Sequence, residues 1–221
     1  MGILTVERKL LEKNDIVAQE LRGLFTSSGM FVLNMVSSPG SGKTSLVEAT
    51  IKALQRRVRI GVIEGDVQTD LDARRIDALN VPVVQIVTHG ACHLEAPLVR
   101  DAYRQLADAK LDILIIENVG NLVCPAAYDL GESLKVVVAS TTEGDDKPLK
   151  YPAMFRHARV LIINKVDLIP YVQCSLETLR ANALAINPSL VIFETSCTTS
   201  QGITAWCDWI VSEAASHATV G

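Results

Sequence analysis

From residue 31 onward, short and mostly apolar runs alternate with stretches whose apolar residues recur at helical spacing. The runs are Phe31–Val36, Val58–Ile63, Val83–Val87, Leu111–Ile116, Leu134–Ala139, Val160–Ile163 and Leu190–Phe193. Runs this short, bounded by polar or glycine positions, read as strands buried on both faces. Residues 45–54, 95–108, 175–186 and 203–214 carry apolar side chains three and four apart, the period of an amphipathic helix. Strands and helices in alternation predict an α/β fold, a doubly wound and mostly parallel sheet. Ahead of the first strand, Val6, Leu10, Leu11, Ile16, Val17, Leu21, Leu24 and Phe25 predict a helix over about 5–27 that covers the sheet from outside and ends near Gly29. With no repeat, linker or low-complexity tract, one domain over 1–221 is expected.

Composition narrows the function classes. Apolar residues make up 48% of the 221 and charged ones 21%, the balance of a soluble globular chain. A formal charge of -4 argues against nucleic acid as a partner, because a phosphate backbone requires a basic surface. No apolar run approaches the roughly 20 residues of a membrane span. Glu7, Arg8, Lys9, Glu12 and Lys13 interrupt what a signal peptide would need. Five cysteines, an odd number, predict thiols or metal ligands in a reduced cytoplasm over a disulfide framework.

The first strand runs into Ser37-Ser38-Pro39-Gly40-Ser41-Gly42-Lys43-Thr44, and Ser45 opens the next helical stretch. Strand, glycine loop and helix make the context in which a phosphate-loop match becomes a site. Backbone N–H groups from Ser38 to Ser45 converge on phosphate oxygens at the positive end of the helix. Lys43 reaches the β- and γ-phosphates, and the Thr44 hydroxyl ligates Mg²⁺. Ser37 stands where the first glycine of the general pattern is usual.

Asn164-Lys165-Val166-Asp167 directly follows another strand. The Asp167 carboxylate can accept from N1–H and the 2-amino group of guanine, which adenine cannot return, and the Lys165 stem can lie over the purine face. Ser196 and Cys197, after the last strand, are expected to offer backbone N–H groups to guanine O6, although Thr198 stands where lysine is usual. GTP is therefore expected over ATP. Glu117, ending a buried strand, and Gly120 resemble the Asp-x-x-Gly segment beside a γ-phosphate. Lys43, Asp66 and Glu117 are the expected catalytic residues. Asp66 is the stronger candidate for Mg²⁺ or the attacking water, with Asp70 and Asp72 in reserve. No residue stands out as a glutamine-type water positioner, so slow intrinsic hydrolysis is expected.

Cys92 and His93 follow one strand and Cys124 another. In a parallel sheet all carboxyl ends share one edge, so these three soft ligands gather near the phosphate loop. Thiolate and imidazole suit Zn²⁺, Ni²⁺ or Cu over Mg²⁺. The spacing alone equally allows two loop thiols and a surface histidine. His89 is close enough in sequence to be an outer-shell partner, and Cys174, Cys197 and Cys207 read as structural thiols.

Taken together, the phosphate loop, Glu64-Gly65-Asp66, Cys92-His93-Leu94, residues 117–125, Asp129-Leu130-Gly131-Glu132, residues 142–148 and Asn164-Lys165-Val166-Asp167 resemble the nickel-insertion GTPases of nickel-iron hydrogenase maturation. The likeness runs from about residue 5 to 215, and Ser37 is a common form within that family. The resemblance implies a phosphate-loop NTPase fold and GTP hydrolysis to GDP with Mg²⁺. It implies a homodimer in the GTP-bound state and a nickel or zinc site of Cys92, His93 and Cys124 at the dimer interface. It also implies a nickel-supplying accessory metallochaperone and, directly or indirectly, a hydrogenase large subunit as partners. Some members carry an N-terminal cysteine cluster or histidine-rich tract that stores nickel. Here the first cysteine is Cys92 and residues 1–88 hold no histidine, so that feature is not carried over. The urease nickel-delivery GTPases look similar, but their Cys-Pro-His motif is replaced here by Cys124-Pro125-Ala126. A non-catalytic carrier using GTP as a structural ligand is the reading from another class.

Overall fold

The structure, a computed structural model, describes residues 6–218, and in the first helix the side chains from Leu10 on. Its elements follow the order α1 (Val6–Ser27), β1 (Phe31–Ser37), α2 (Lys43–Leu54), β2 (Ile60–Asp66), α3 (Leu71–Asp77), β3 (Val83–Val87), α4 (Ala96–Leu106) and β4 (Ile113–Glu117). Next come β5 (Leu134–Ser140), α5 (Lys147–Lys150), α6 (Pro152–His157), β6 (Val160–Asn164), α7 (Leu176–Ile186), β7 (Val191–Thr195) and α8 (Ile203–Ala218). The seven strands form one sheet in the order β3-β2-β4-β1-β5-β6-β7. Every pairing is parallel, so the sheet goes beyond the mostly parallel one expected.

Alternation along β1 shows why the sheet is covered on both faces. Phe31, Leu33 and Met35 pack with α2 and α8, whereas Val32 and Val36 face the layer built by α1, α4, α6 and α7. Asn34 is also fully buried. It survives there through hydrogen bonds to Glu132 and Asn118, since an unpaired buried amide would cost about 1–3 kcal/mol.

Helix α1 covers the sheet as expected, and Leu21 and Phe25 of the expected stripe are buried, but other members of that stripe are not. Asn14, Ala18, Leu21 and Phe25 are its buried positions, while Leu10, Ile16 and Leu24 are exposed. The sequence offers apolar residues on more than one side of this helix, and packing against α4 selects the side. Asn14 is buried because its side chain donates to the Asp129 carbonyl and accepts from Ala96 N–H. Val6, the first residue of the expected stripe, lies outside the described side chains. Helices α5 and α6 are absent from the apolar pattern; Pro148 and Pro152 stand in their first turns, where the missing N–H has no helical partner to lose. Among the described residues no helix is long and apolar enough to cross a membrane.

Candidate functional site

The carboxyl edge of the sheet carries a cavity of about 480 Å³. Its lining includes Pro39, Gly40 and Gly42 to Ser45 from the phosphate loop, Glu64 to Val67 from the end of β2, and Asp72 and Arg75 from α3. Glu117 to Gly120 and Lys165 complete it. Gly42 caps α2 at φ 91°, and a Cβ there would come within 2.6 Å of the Asn164 amide nitrogen. Only glycine adopts that conformation freely, and the close approach lets Asn164 donate to the Ser41 carbonyl at 3.0 Å.

The loop is folded around its own polar contacts. Lys43 Nζ donates to Ser37 Oγ at 2.8 Å, which gives the residue at the usual glycine position a function. Ser41 Oγ donates to Glu143, and Lys147 Nζ reaches Ser38 Oγ at 3.1 Å. Lys43 is 9% exposed and lines the cavity beside its serine partner.

Thr44 Oγ1 donates to Glu117 at 2.8 Å, so hydroxyl and carboxylate already stand together where Mg²⁺ chemistry would need them. Glu117 has a second carboxyl oxygen that is buried and without a hydrogen-bond partner, which fits a cation site. Asp66 faces the same cavity. Burial works to raise its carboxyl, but N–H bonds from Thr69 and Gln68 hold it below the usual range, so it stays ionised. Asp72 lines the cavity beside Arg75, and Asp70 pairs outward with Arg74.

Glu64 is the residue that sequence reasoning missed. It is 2% exposed and lies in register with Glu117 across the β2–β4 pair. Burial first, then the neighbouring Glu117 charge, push its carboxyl up to about 10, with Lys43 opposing. Burial also raises Glu117, opposed by Lys43 and the Thr44 hydroxyl. Burial thus disfavours charge on both carboxyls of the pair, and the Thr44 hydroxyl favours placing it on Glu117. A lone carboxylate within an apolar strand was the available signal.

At the base-recognition end, Lys165 is left-handed at φ 62°, and its ammonium donates to the Gly40 carbonyl at 2.7 Å. Asn164 accepts from Thr195 Oγ1 and joins β6, β7 and the phosphate loop. Asp167 lies in the short 3₁₀ helix after Lys165, Val166–Tyr171, and is not among the residues lining the main cavity. The Ser196 N–H already donates to the Gln201 carbonyl, and Cys197 Sγ lies 3.7 Å from Asn164.

Cys92, His93 and Cys124 converge, with ligand atoms all within 4.8 Å of one another. The two sulfurs are 2.9 Å apart. Their hydrogen bond, then burial, raise the Cys124 thiol, and burial lowers His93, which favours the neutral imidazole that metals bind. His89 is exposed on the preceding turn and makes none of the group's contacts among the described residues. The neighbours of His93 are instead Tyr128, whose ring lies tilted against it at 3.9 Å between centres, and Glu95, whose carboxylate lies 3.7 Å from Nε2. Glu95 is a neighbour along the chain, whereas Tyr128 is brought in by tertiary structure from 35 positions downstream. Cys174 and Cys207 lie in the packed layers away from this group.

Comparison with known proteins agrees with this geometry. Residues 31–194 match the family described as CobW/HypB/UreG, nucleotide-binding domain. The hydrogenase maturation factor HypB of Azotobacter vinelandii is 50% identical over 208 residues, covering 94% of this chain and 69% of that protein. The Escherichia coli K12 factor of the same name is 47% identical, over 96% of this chain and 73% of its own length. Among solved structures, Helicobacter pylori HypB in complex with nickel superposes with a TM-score of 0.88 at 38% identity, covering 92% of this chain and 96% of that one. Sequence and architecture thus agree: the chain belongs to the CobW/HypB/UreG family and, within it, to the hydrogenase maturation factors HypB.

Proposed function

We propose that this chain is a GTP-hydrolysing metallochaperone that takes part in nickel insertion into nickel-iron hydrogenase. The observation that carries the reading is the convergence of Cys92, His93 and Cys124 on the sheet edge that also holds the phosphate-loop cavity. Family membership, and the nickel bound by a 38%-identical relative, support nickel as the cargo.

In this reading the phosphate loop and Lys43 bind the β- and γ-phosphates, and Asp167 selects guanine. Thr44, Asp66 and Glu117 would hold Mg²⁺, which neutralises charge developing on the phosphates. Asp66, ionised and facing the cavity, orients the attacking water. Glu64 in its protonated form would keep Glu117 turned toward Thr44. Three soft ligands fall short of the four that tetrahedral zinc or planar nickel takes. A two-fold homodimer, closed in the GTP state, would pool ligands from both chains. An accessory metallochaperone would supply nickel, and the hydrogenase large subunit would receive it directly or through another factor. Urease-type delivery is less favoured because Pro125-Ala126 replaces Pro-His after Cys124.

The test is metal affinity and stoichiometry with GDP and with a non-hydrolysable GTP analogue, beside multiple-turnover phosphate release. Coupled affinity and turnover above background are expected. Phosphate release at background would leave a non-catalytic carrier, and failure to bind nickel or zinc would overturn the metal assignment.

A further inference from the structure

Leu94 follows His93 directly and is fully buried. Its side chain presses on Gly65, where a Cβ would meet it at 2.8 Å. Its N–H donates to the Asn118 side-chain carbonyl at 3.2 Å. Gly65 lies between Glu64 and Asp66 at the end of β2, and Asn118 follows Glu117 at the end of β4. Leu94 is thus clamped between the two strand ends that carry the acidic residues of the nucleotide cavity. Its N–H belongs to the same planar peptide unit as the His93 carbonyl, so the orientation of Asn118 sets the backbone of a metal ligand.

Asn118 reaches further. Its N–H donates to Met35 on β1, its amide donates to Asn34 at 3.2 Å, and Asn34 donates to Glu132 at 3.0 Å. Lys135 pairs with Glu132 at 3.6 Å and donates to the carbonyls of Pro125 and Tyr128, at 2.9 and 3.2 Å. Pro125 follows Cys124, and the Tyr128 ring lies on His93. Asn34, Asn118, Glu132 and Lys135 are all at most 8% exposed. Each end of this buried chain of hydrogen bonds grips the residue after a metal ligand, and Asn118, next to the Leu94 end, lies between Glu117 and Gly120 in the chain. In a buried network of this kind the hydrogen bonds depend on one another, so a shift at one member is passed to its neighbours or costs a bond.

We propose that Asn118, assisted by Lys135, is the positioning residue through which the nucleotide cavity sets the geometry of the Cys92–His93–Cys124 group. The proposal rests on the reading that the chain binds nucleotide and metal together. A γ-phosphate that moves Glu117 or Gly120 turns Asn118, and Leu94 carries the turn to His93. Coupling of this kind is reciprocal and typically about 5–150-fold in affinity.

The experiment measures Zn²⁺ affinity of the full chain, by competition with a chromophoric chelator, at saturating GDP and at a saturating non-hydrolysable GTP analogue. Wild type should differ between the two states within that range. Asn118→Ala should bring the ratio close to one, and Lys135→Gln should shrink it in part. A ratio preserved in folded Asn118→Ala overturns the linkage and leaves the proposed function standing. Equal affinities in the wild type overturn the proposed coupling, and the linkage with it. The amide nitrogen and proton shifts of Leu94 in the wild type give a readout that no unfolded variant can spoil. They should differ between the two nucleotide states, and identical shifts would overturn the proposal.

Discussion

The phosphate loop and the Cys92–His93–Cys124 group share one sheet edge, but they are built in opposite ways. In the loop the principal polar groups already have protein partners: Ser37 holds Lys43, Glu117 holds Thr44, and Glu143 holds Ser41. It is a contiguous segment whose shape exists before the ligand arrives, and binding exchanges one partner for another. In the Cys92–His93–Cys124 group the sulfurs find mainly each other, and His93 Nε2 is buried without a hydrogen-bond partner. That cluster is drawn from two loops 32 positions apart and leaves valence open. A preorganised site binds its ligand from a single chain. An open one has to be completed from outside, which in the proposed function is the part of a second copy.

The sharpest way to break this contrast is Lys43→Ala. Removing the cation aimed at the β- and γ-phosphates should lower turnover by at least about 10²–10³-fold, and nucleotide binding should weaken with it. Wild-type phosphate release from this variant would overturn the phosphate-loop assignment. The mirror experiment, Cys124→Ala, should leave GTP bound. Metal affinity should fall by more than the roughly 10–100-fold that loss of an outer-shell partner costs. A chelator competition showing unchanged affinity would remove Cys124 from the ligand set.

Asp167→Asn probes the base end with a smaller effect. By analogy with base-edge readout, about 1–3 kcal/mol of guanine preference should disappear while xanthine nucleotides gain. Competition binding with both nucleotides measures it, and unchanged GTP affinity would count against the base site. Glu64→Leu tests the missed carboxyl. It should raise the Mg²⁺ concentration needed for half-maximal nucleotide affinity, whereas Glu64→Gln, which keeps a side chain able to donate beside Glu117, should stay near wild type. Equal behaviour of the two variants would sink that role.

The smallest expected effect touches neither site. Asp129 feels burial pushing its carboxyl up, but the Arg22 bond and the Gly131 N–H hold it below the usual range. A depressed folded value means the ion pair stabilises above the ordinary carboxylate range and is lost as pH falls through the lower folded value. With both side chains about two-fifths exposed, the contribution is at most about 1 kcal/mol. Thermal melts of wild type and Arg22→Ala should differ slightly at neutral pH and converge in acid. A gap that persists in strong acid would remove the ion pair as its cause.

Much was legible in the sequence because it depends on neighbours along the chain. The strand–glycine loop–helix order at residues 31–54 and the segment 164–167 after β6 are local statements, and the alternation of periods dictated a parallel sheet. That sheet in turn placed Cys92, His93 and Cys124 at a common edge. Strand ends were less legible: β2, β4 and β6 run on through Asp66, Glu117 and Asn164, because ladder hydrogen bonds rather than apolar character end a strand. Tertiary structure alone decided what depends on register between strands distant in sequence. It set Glu64 beside Glu117, brought the two sulfurs to 2.9 Å, and placed Tyr128 in place of His89 against His93. It also chose which side of α1 is buried, since apolar residues on several sides of a helix leave that choice to the partner surface. The residue types were determined locally; which of them touch was determined by how the crossovers ordered the sheet.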